Sequence, residues 1–199
     1  MDSLPIIVLA AGSSSRMGQS KQLMAWGEET LLSHAVGIAL KVSSRVAVVL
    51  GAEANAHRTA LMRLPVMAVE NKQWSEGMGS SVKTGVEFIR QSWPDAEAMM
   101  VMVCDQPLIT PEHLEQLMAT FRSRQTSIVA SQYGSTFGVP VLFSKEMFPF
   151  LLQIPSDAGA KKMIQGHLGV AAMVPFENGK VDVDTPEEYA TFVKHVKSK

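Results

Sequence analysis

The residues with the clearest chemical purpose crowd into one stretch, Leu9-Ala10-Ala11-Gly12-Ser13-Ser14-Ser15-Arg16-Met17-Gly18-Gln19-Ser20-Lys21. Gly12, Gly18 and the serines are small enough to let backbone N–H groups close on an anion, and clustered amides of this kind hold phosphates. Arg16 adds a planar fork for phosphate oxygens, and Lys21 adds a compact point charge. Together they suit a polyphosphate, with the two cations offsetting charge on a departing pyrophosphate. Residue chemistry alone leaves an ordinary solvated loop as the alternative. Spacing excludes two familiar phosphate loops. A P-loop needs Gly and Lys adjacent, whereas Gln19 and Ser20 separate Gly18 from Lys21. A dinucleotide fingerprint needs a third glycine where Gly77-Met78-Gly79-Ser80-Ser81 is followed by Val82.

Carboxylates supply the second part of the chemistry. Asp105 follows an apolar run over 98–103, so it should project from the carboxyl end of a strand into the crevice beside the first loop. Mg²⁺ takes hard oxygen ligands and often needs only one or two carboxylates, with phosphates and water completing its shell. In Val181-Asp182-Val183-Asp184 the two acids share one face of a strand. Asp184 is the candidate second ligand, with a helix N-cap ahead of Pro186 as its alternative. Asn71 could read a base edge, since its amide both donates and accepts. Ser80 and Ser81 open a predicted helix whose free N–H groups could meet a ribose or base, or could simply be capped. Cys104 reads as an inert core thiol, the five histidines lack ligand spacing, and Met99, Met100 and Met102 read as core filler. Trp26 and Trp74 flank the candidate loops, with core packing the plainer reading.

These groups must be carried by a scaffold, and the patterning predicts one. Short apolar, β-branched runs predict strands over 5–10, 45–50, 65–69, 98–103, 127–130, 139–143 and 170–174, most of them buried. Helical spacing alternates with them over 30–41, 53–62, 80–91, 111–123, 144–152, 157–167 and 186–197. Thr110-Pro111 and Thr185-Pro186 each supply a capping hydroxyl and a first-turn proline. Alternating elements with strands apolar on both faces predict a three-layer α/β/α sandwich around a mostly parallel, Rossmann-like sheet.

Composition narrows the setting. With 46% apolar and 19% charged residues, the 199-residue chain has enough core material to fold, and one domain over 1–199 is expected. A formal net charge of −1 gives no global reason to bind nucleic acid or an anionic membrane, so any anion site must be local. No window reaches the ~18 apolar residues of a membrane span. The single cysteine and an opening without signal-peptide character fit a reducing cytoplasm.

The segment LAAGSSSRMGQSKQL resembles the signature of the MobA-like nucleotidyltransferases, in particular the branch of molybdenum cofactor cytidylyltransferases. The likeness continues in order through GMGSSVKTGV (77–86), VCDQPLIT (103–110), GVPVLF (138–143), DAGAKKMI (157–164) and VDVDTPEEY (181–189). It implies the nucleotide-diphospho-sugar transferase type of fold, with an N-terminal nucleotide-binding part and a C-terminal acceptor-binding part. Ala11, Gly12, Ser13, Ser14, Arg16, Gly18, Lys21, Asn71, Gly79, Ser80 and Ser81 would bind nucleotide. Arg16, Lys21 and Asp105 would be catalytic, Asp105 and Asp184 would hold Mg²⁺, and Gly138, Pro140 and Lys161 would meet the acceptor. Many relatives carry arginine where Lys161 stands. Sugar and polyol phosphate transferases usually have proline before the lysine, where this chain has Ser20, which favours the molybdopterin branch. Alanine rather than glycine at position 11 favours CTP over GTP. The implied reaction joins a nucleoside triphosphate to molybdopterin cofactor, and the implied partner is a molybdenum hydroxylase that receives the product. The alternatives are transfer to a sugar or polyol phosphate, or a non-catalytic carrier of the cofactor.

Overall fold

A computed structural model describes residues 3–13, 20–180 and Tyr189. The chain forms β1 (Ile6–Ala10), a hairpin of β2 (Ala25–Trp26) and β3 (Glu29–Thr30), α1 (Leu31–Val42), β4 (Val46–Leu50), α2 (Ala54–Leu61) and β5 (Met67–Glu70). There follow α3 (Met78–Ser92), β6 (Ala98–Val103), α4 (Pro111–Arg124), β7 (Ile128–Tyr133), β8 (Thr136–Ser144), α5 (Phe148–Leu152), α6 (Ala160–Gly166) and β9 (Ala171–Pro175). The main sheet has seven strands in the order β5-β4-β1-β6-β8-β7-β9, and β8 alone runs antiparallel to its neighbours.

The three-layer arrangement follows from period-two alternation along the central strands β1, β4 and β6, which carry no charge. In β1, Ile6, Val8 and Ala10 point into one core with Leu32, Val36, Leu61, Leu114 and Leu117 of α1, α2 and α4. Ile7 and Leu9 point the other way, among Val82, Val86, Ile89, Leu151 and Ile164 of α3, α5 and α6. Helices therefore cover both faces, as a parallel sheet requires. No helix among the described residues is long and apolar enough to cross a membrane.

Local signals place the helix starts. Thr30 Oγ1 accepts from the Ser33 N–H at 3.1 Å to open α1, and Thr110 caps α4 ahead of Pro111 as expected. Other boundaries differ from the patterning. α3 begins at Met78, not Ser80, after Gly77 at φ 121. The helix expected over 144–152 divides into a 3₁₀ turn, Lys145–Met147, and α5, whose first turn contains Pro149. α6 begins at Ala160 rather than at 157. The strands expected over 127–130 and 139–143 are longer and join in a hairpin, where Tyr133 pairs with Thr136 and Gly134 takes φ 63. β5 is an exposed edge strand, with Met67 46% exposed, because only β4 pairs with it. The helix expected over 186–197 lies outside the described residues except for Tyr189.

His113 shows how tightly the far half of the sheet is bound. Its ring stacks on Phe176 at 4.3 Å, and Nε2 lies 2.8 Å from Ser131 Oγ, whose proton goes to the Pro140 carbonyl. Burial pushes its pKa down from 6.5 to about 4. Between those pH values the unfolded chain binds a proton that the folded chain refuses, so stability falls as pH drops through this window and is unaffected above it. At pH 5, urea denaturation should show His113 costing about 2 kcal/mol relative to pH 7.5. A His113→Gln variant, which keeps an N–H for Ser131, should lose that part of the pH dependence; an unchanged slope would contradict it.

Candidate active site

The order of the sheet reverses at β1, which has β4 on one side and β6 on the other. Open α/β sheets bind ligands in the crevice at such a point, beyond the carboxyl ends of the strands. Leu9 and Val103 pair there, so Ala11-Gly12-Ser13 and Cys104-Asp105 emerge side by side. A cavity of about 370 Å³ opens between them, and its lining includes Ala11, Gly12, Ser13, Lys21, Trp74 and Asp105.

Lys21 and Asp105, 84 positions apart in the chain, meet in this cavity. Lys21 opens a 3₁₀ turn, Lys21–Leu23, and its Nζ lies 2.8 Å from Asp105 Oδ2. Their side chains are 13% and 28% exposed, so both are shielded yet still face the cavity. The fold thus puts one cation and one carboxylate where a polyphosphate would enter. A third chemical group does not join them: burial, reinforced by the Asp105 charge, pushes the Cys104 thiol up to about 12 and keeps it unreactive.

Close backbone approach shapes the rest of the wall. A Cβ on Gly51 would lie 2.3 Å from the Ala11 carbonyl oxygen and 2.7 Å from Trp74 Cβ, so only glycine lets the end of β4 tuck beneath both. Gly79 is equally constrained, with a Cβ meeting the Pro155 carbonyl oxygen at 2.1 Å. Its glycine requirement therefore comes from the protein's own backbone. Ser80 is not a helix cap; its hydroxyl lies 2.7 Å from the Gly77 carbonyl and 2.9 Å from that of Gln73. Asn71 donates to Ser80 and Ser81 at 2.8 and 3.0 Å and accepts from the Gln73 N–H at 2.9 Å. All three side chains are buried, although Ser81 also lines the cavity. This cluster braces the segment carrying Trp74 and Met78.

The expected acceptor residues are placed differently. Gly138 and Pro140 lie inside β8, both buried, and neither lines the cavity. Gly138 makes room for the Tyr133 hydroxyl, which would sit 2.2 Å from a Cβ. Lys161 is exposed on α6. Ser14, Arg16, Gly18 and Asp184 lie outside the described residues. Among the described residues no group of three His, Cys, Asp or Glu gathers as a metal cage. A hard cation shared between one carboxylate and phosphate oxygens needs no such cage, and Asp105 fits that role. The patterning missed Gln22, Ser75 and Met78 as cavity residues. Their only sequence signal was adjacency to the two glycine-containing segments.

A doubly covered, mostly parallel sheet with Lys and Asp facing each other at its switch point defines an α/β protein of the kind that binds ligands beyond the strand ends. The family comparison agrees: the chain belongs to the MobA-like NTP transferase domain family, whose model matches residues 6–172. It is 32% identical over 196 residues to the purine catabolism protein PucB of Bacillus subtilis (strain 168), covering 92% of each chain. It is 26% identical over 194 residues to the molybdenum cofactor cytidylyltransferase of Escherichia coli (strain K12), covering 96% of each. Among solved structures, Rv0371c of Mycobacterium tuberculosis H37Rv superposes with a TM-score of 0.83 at 24% identity, covering 97% of this chain and 98% of that one. The same protein has also been solved in complex with manganese. The nucleotide-diphospho-sugar transferase fold and nucleotidyl transfer as the class of reaction follow.

Proposed function

We propose that this nucleotidyltransferase transfers a cytidylyl group from CTP to the terminal phosphate of molybdopterin cofactor, releasing pyrophosphate. The observation that carries this reading is the Lys21–Asp105 pair at the mouth of the cavity, beside Ala11-Gly12-Ser13. An acceptor phosphate oxygen attacks the α-phosphorus of CTP, a new P–O–P linkage forms, and the α–β bridging bond breaks with its electrons leaving on pyrophosphate. Such chemistry depends on positioning and charge neutralisation and needs no covalent nucleophile. Lys21, with Arg16 from the same motif, offsets charge on the leaving pyrophosphate. Asp105 would hold a divalent cation, magnesium in this reading, which when bound neutralises charge on the α-phosphate. Asp184 is the proposed second carboxylate, assigned through its VDVDTPEEY motif. Gly138, Pro140 and Lys161 are assigned to the acceptor side through their motifs.

The relatives named as molybdenum cofactor cytidylyltransferase and guanylyltransferase support the acceptor, and a molybdenum hydroxylase is the proposed recipient in the cytoplasm. Base choice rests on Ala11, whose methyl stands where guanylyl-type relatives tend to carry hydrogen. A competition assay with CTP, GTP and ATP, reading pyrophosphate released per molybdopterin cofactor, should favour CTP at least about tenfold, a difference of roughly 1.4 kcal/mol. Preference for GTP would refute the cytidylyl assignment. Release with a sugar phosphate instead of molybdopterin would refute the acceptor.

A further inference from the structure

Lys21 stands between two buried polar side chains, Ser20 at 7% and Gln22 at 4% exposure. Burying such groups is unfavourable unless each finds a partner, and here the partners form one directed line. Gln22 Nε2 donates to the Gly12 carbonyl at 2.9 Å. Its Oε1 accepts from Ser20 Oγ at 3.0 Å. That contact uses the only proton a serine hydroxyl has. Ser20 Oγ must then accept from Nε2 of His57, 2.8 Å away on α2. His57 is fully buried, and its Nδ1 has no partner among the described residues. The ring is therefore the neutral tautomer with its proton on Nε2, and burial lowers its pKa in keeping with that state. Leaving a buried ring nitrogen without a partner is destabilising, so an apolar side chain would serve α2 better if packing were the only demand.

We propose that His57, Ser20 and Gln22 are positioning residues: a hydrogen-bond relay from α2 that holds the Gly12 carbonyl turned toward Gln22 and fixes the placement of the Lys21 segment beside the cavity. Neither His57 nor Ser20 lines the cavity, so both act through Lys21 and Gly12. The relay links the loop after β1 to the helix after β4, and those two loops flank the switch point. The polyphosphate thus meets a cation whose position has been set in advance, which is where oriented charge is most effective. The inference rests on the reading of the cavity as a triphosphate site.

The test measures affinities for CTP, inorganic pyrophosphate and CMP, together with thermal midpoints, in wild type and in Ser20→Ala, His57→Leu, His57→Gln and Gln22→Met. Ser20→Ala, His57→Leu and Gln22→Met should each weaken CTP and pyrophosphate about tenfold, the loss expected for one hydrogen bond to a charged group's support. CMP, lacking the β- and γ-phosphates, should change by less than about twofold. His57→Gln, whose amide can offer an N–H near the Nε2 position, should recover most of the pyrophosphate affinity. Equal weakening of CTP, pyrophosphate and CMP, or no rescue by His57→Gln, would make the network merely structural and overturn the relay. Unchanged pyrophosphate affinity in Ser20→Ala and Gln22→Met would do the same. A folded wild type that binds neither CTP nor pyrophosphate would remove the triphosphate reading itself, and that outcome is visible before any variant is compared.

Discussion

An Asp105→Asn enzyme keeps its fold and loses about a thousandfold in kcat, the scale set by removing a single charge-stabilising group from a reacting centre. The substitution is isosteric, so the turn after β6 and the buried Cys104 beside it are undisturbed. What disappears is the charge that faces Lys21 at 2.8 Å and that would hold the cation. KM for the nucleotide should move much less than kcat, because the proposed phosphate-binding groups, Lys21 and the loop after β1, remain. Steady-state kinetics at saturating Mg²⁺ reads both parameters, and near-wild-type kcat would refute the assignment. Lys21→Met should also lower kcat, but with KM rising as well, since it removes the cation proposed to meet the phosphates. The double variant should fall short of the product of the two losses, because groups that act as one unit are not additive.

Gly51→Ala produces the second large effect, on stability and activity together. The added Cβ would stand 2.3 Å from the Ala11 carbonyl oxygen, and this neighbour is backbone that cannot rotate aside. It would also press within 2.7 Å of Ala11 Cβ and Trp74 Cβ. Relief requires β1 and the Trp74 segment to move apart, which costs about 2 kcal/mol or more in a well-packed interior. Because Ala11 and Trp74 both line the cavity, kcat/KM should fall about a hundredfold, the penalty for roughly 1 Å of misplacement. Urea denaturation and kinetics measure the two effects. Gly37→Ala is the matching control: nothing lies within 4 Å of its Cβ, so stability should hold or rise.

Much of this protein follows from local chemistry. Apolar β-branched runs specify buried strands because an uncharged segment can bury both faces only inside a covered sheet, and β1, β4 and β6 meet that expectation to within one residue at each end. Thr110-Pro111 specifies the start of α4 because hydroxyl capping and the proline ring act within a few bonds. Asp105 could be placed at a strand end for the same reason. The antiparallel β8 was not foreseeable in this way. Its core over 139–143 is as apolar as the parallel strands of the sheet, and its direction comes from the turn at Gly134 and from pairing with β6, some forty positions earlier.

The site divides along the same line. The sequence by itself determined which groups are present: a glycine- and serine-rich loop, Arg16 and Lys21, a carboxylate after a buried strand, and motifs in the order of one transferase family. Tertiary structure decided which of them meet and what supports them. It paired Lys21 with Asp105, buried Asn71 among the two serines that the pattern had offered to a ligand, and enclosed Gly138 and Pro140 inside a strand. It also brought His57 to Ser20 across 37 positions. The physical reason is range. Propensity, capping and periodicity act over a few residues along the chain, whereas hydrogen bonds and ion pairs act through space between segments that only the order of strands in the sheet brings together.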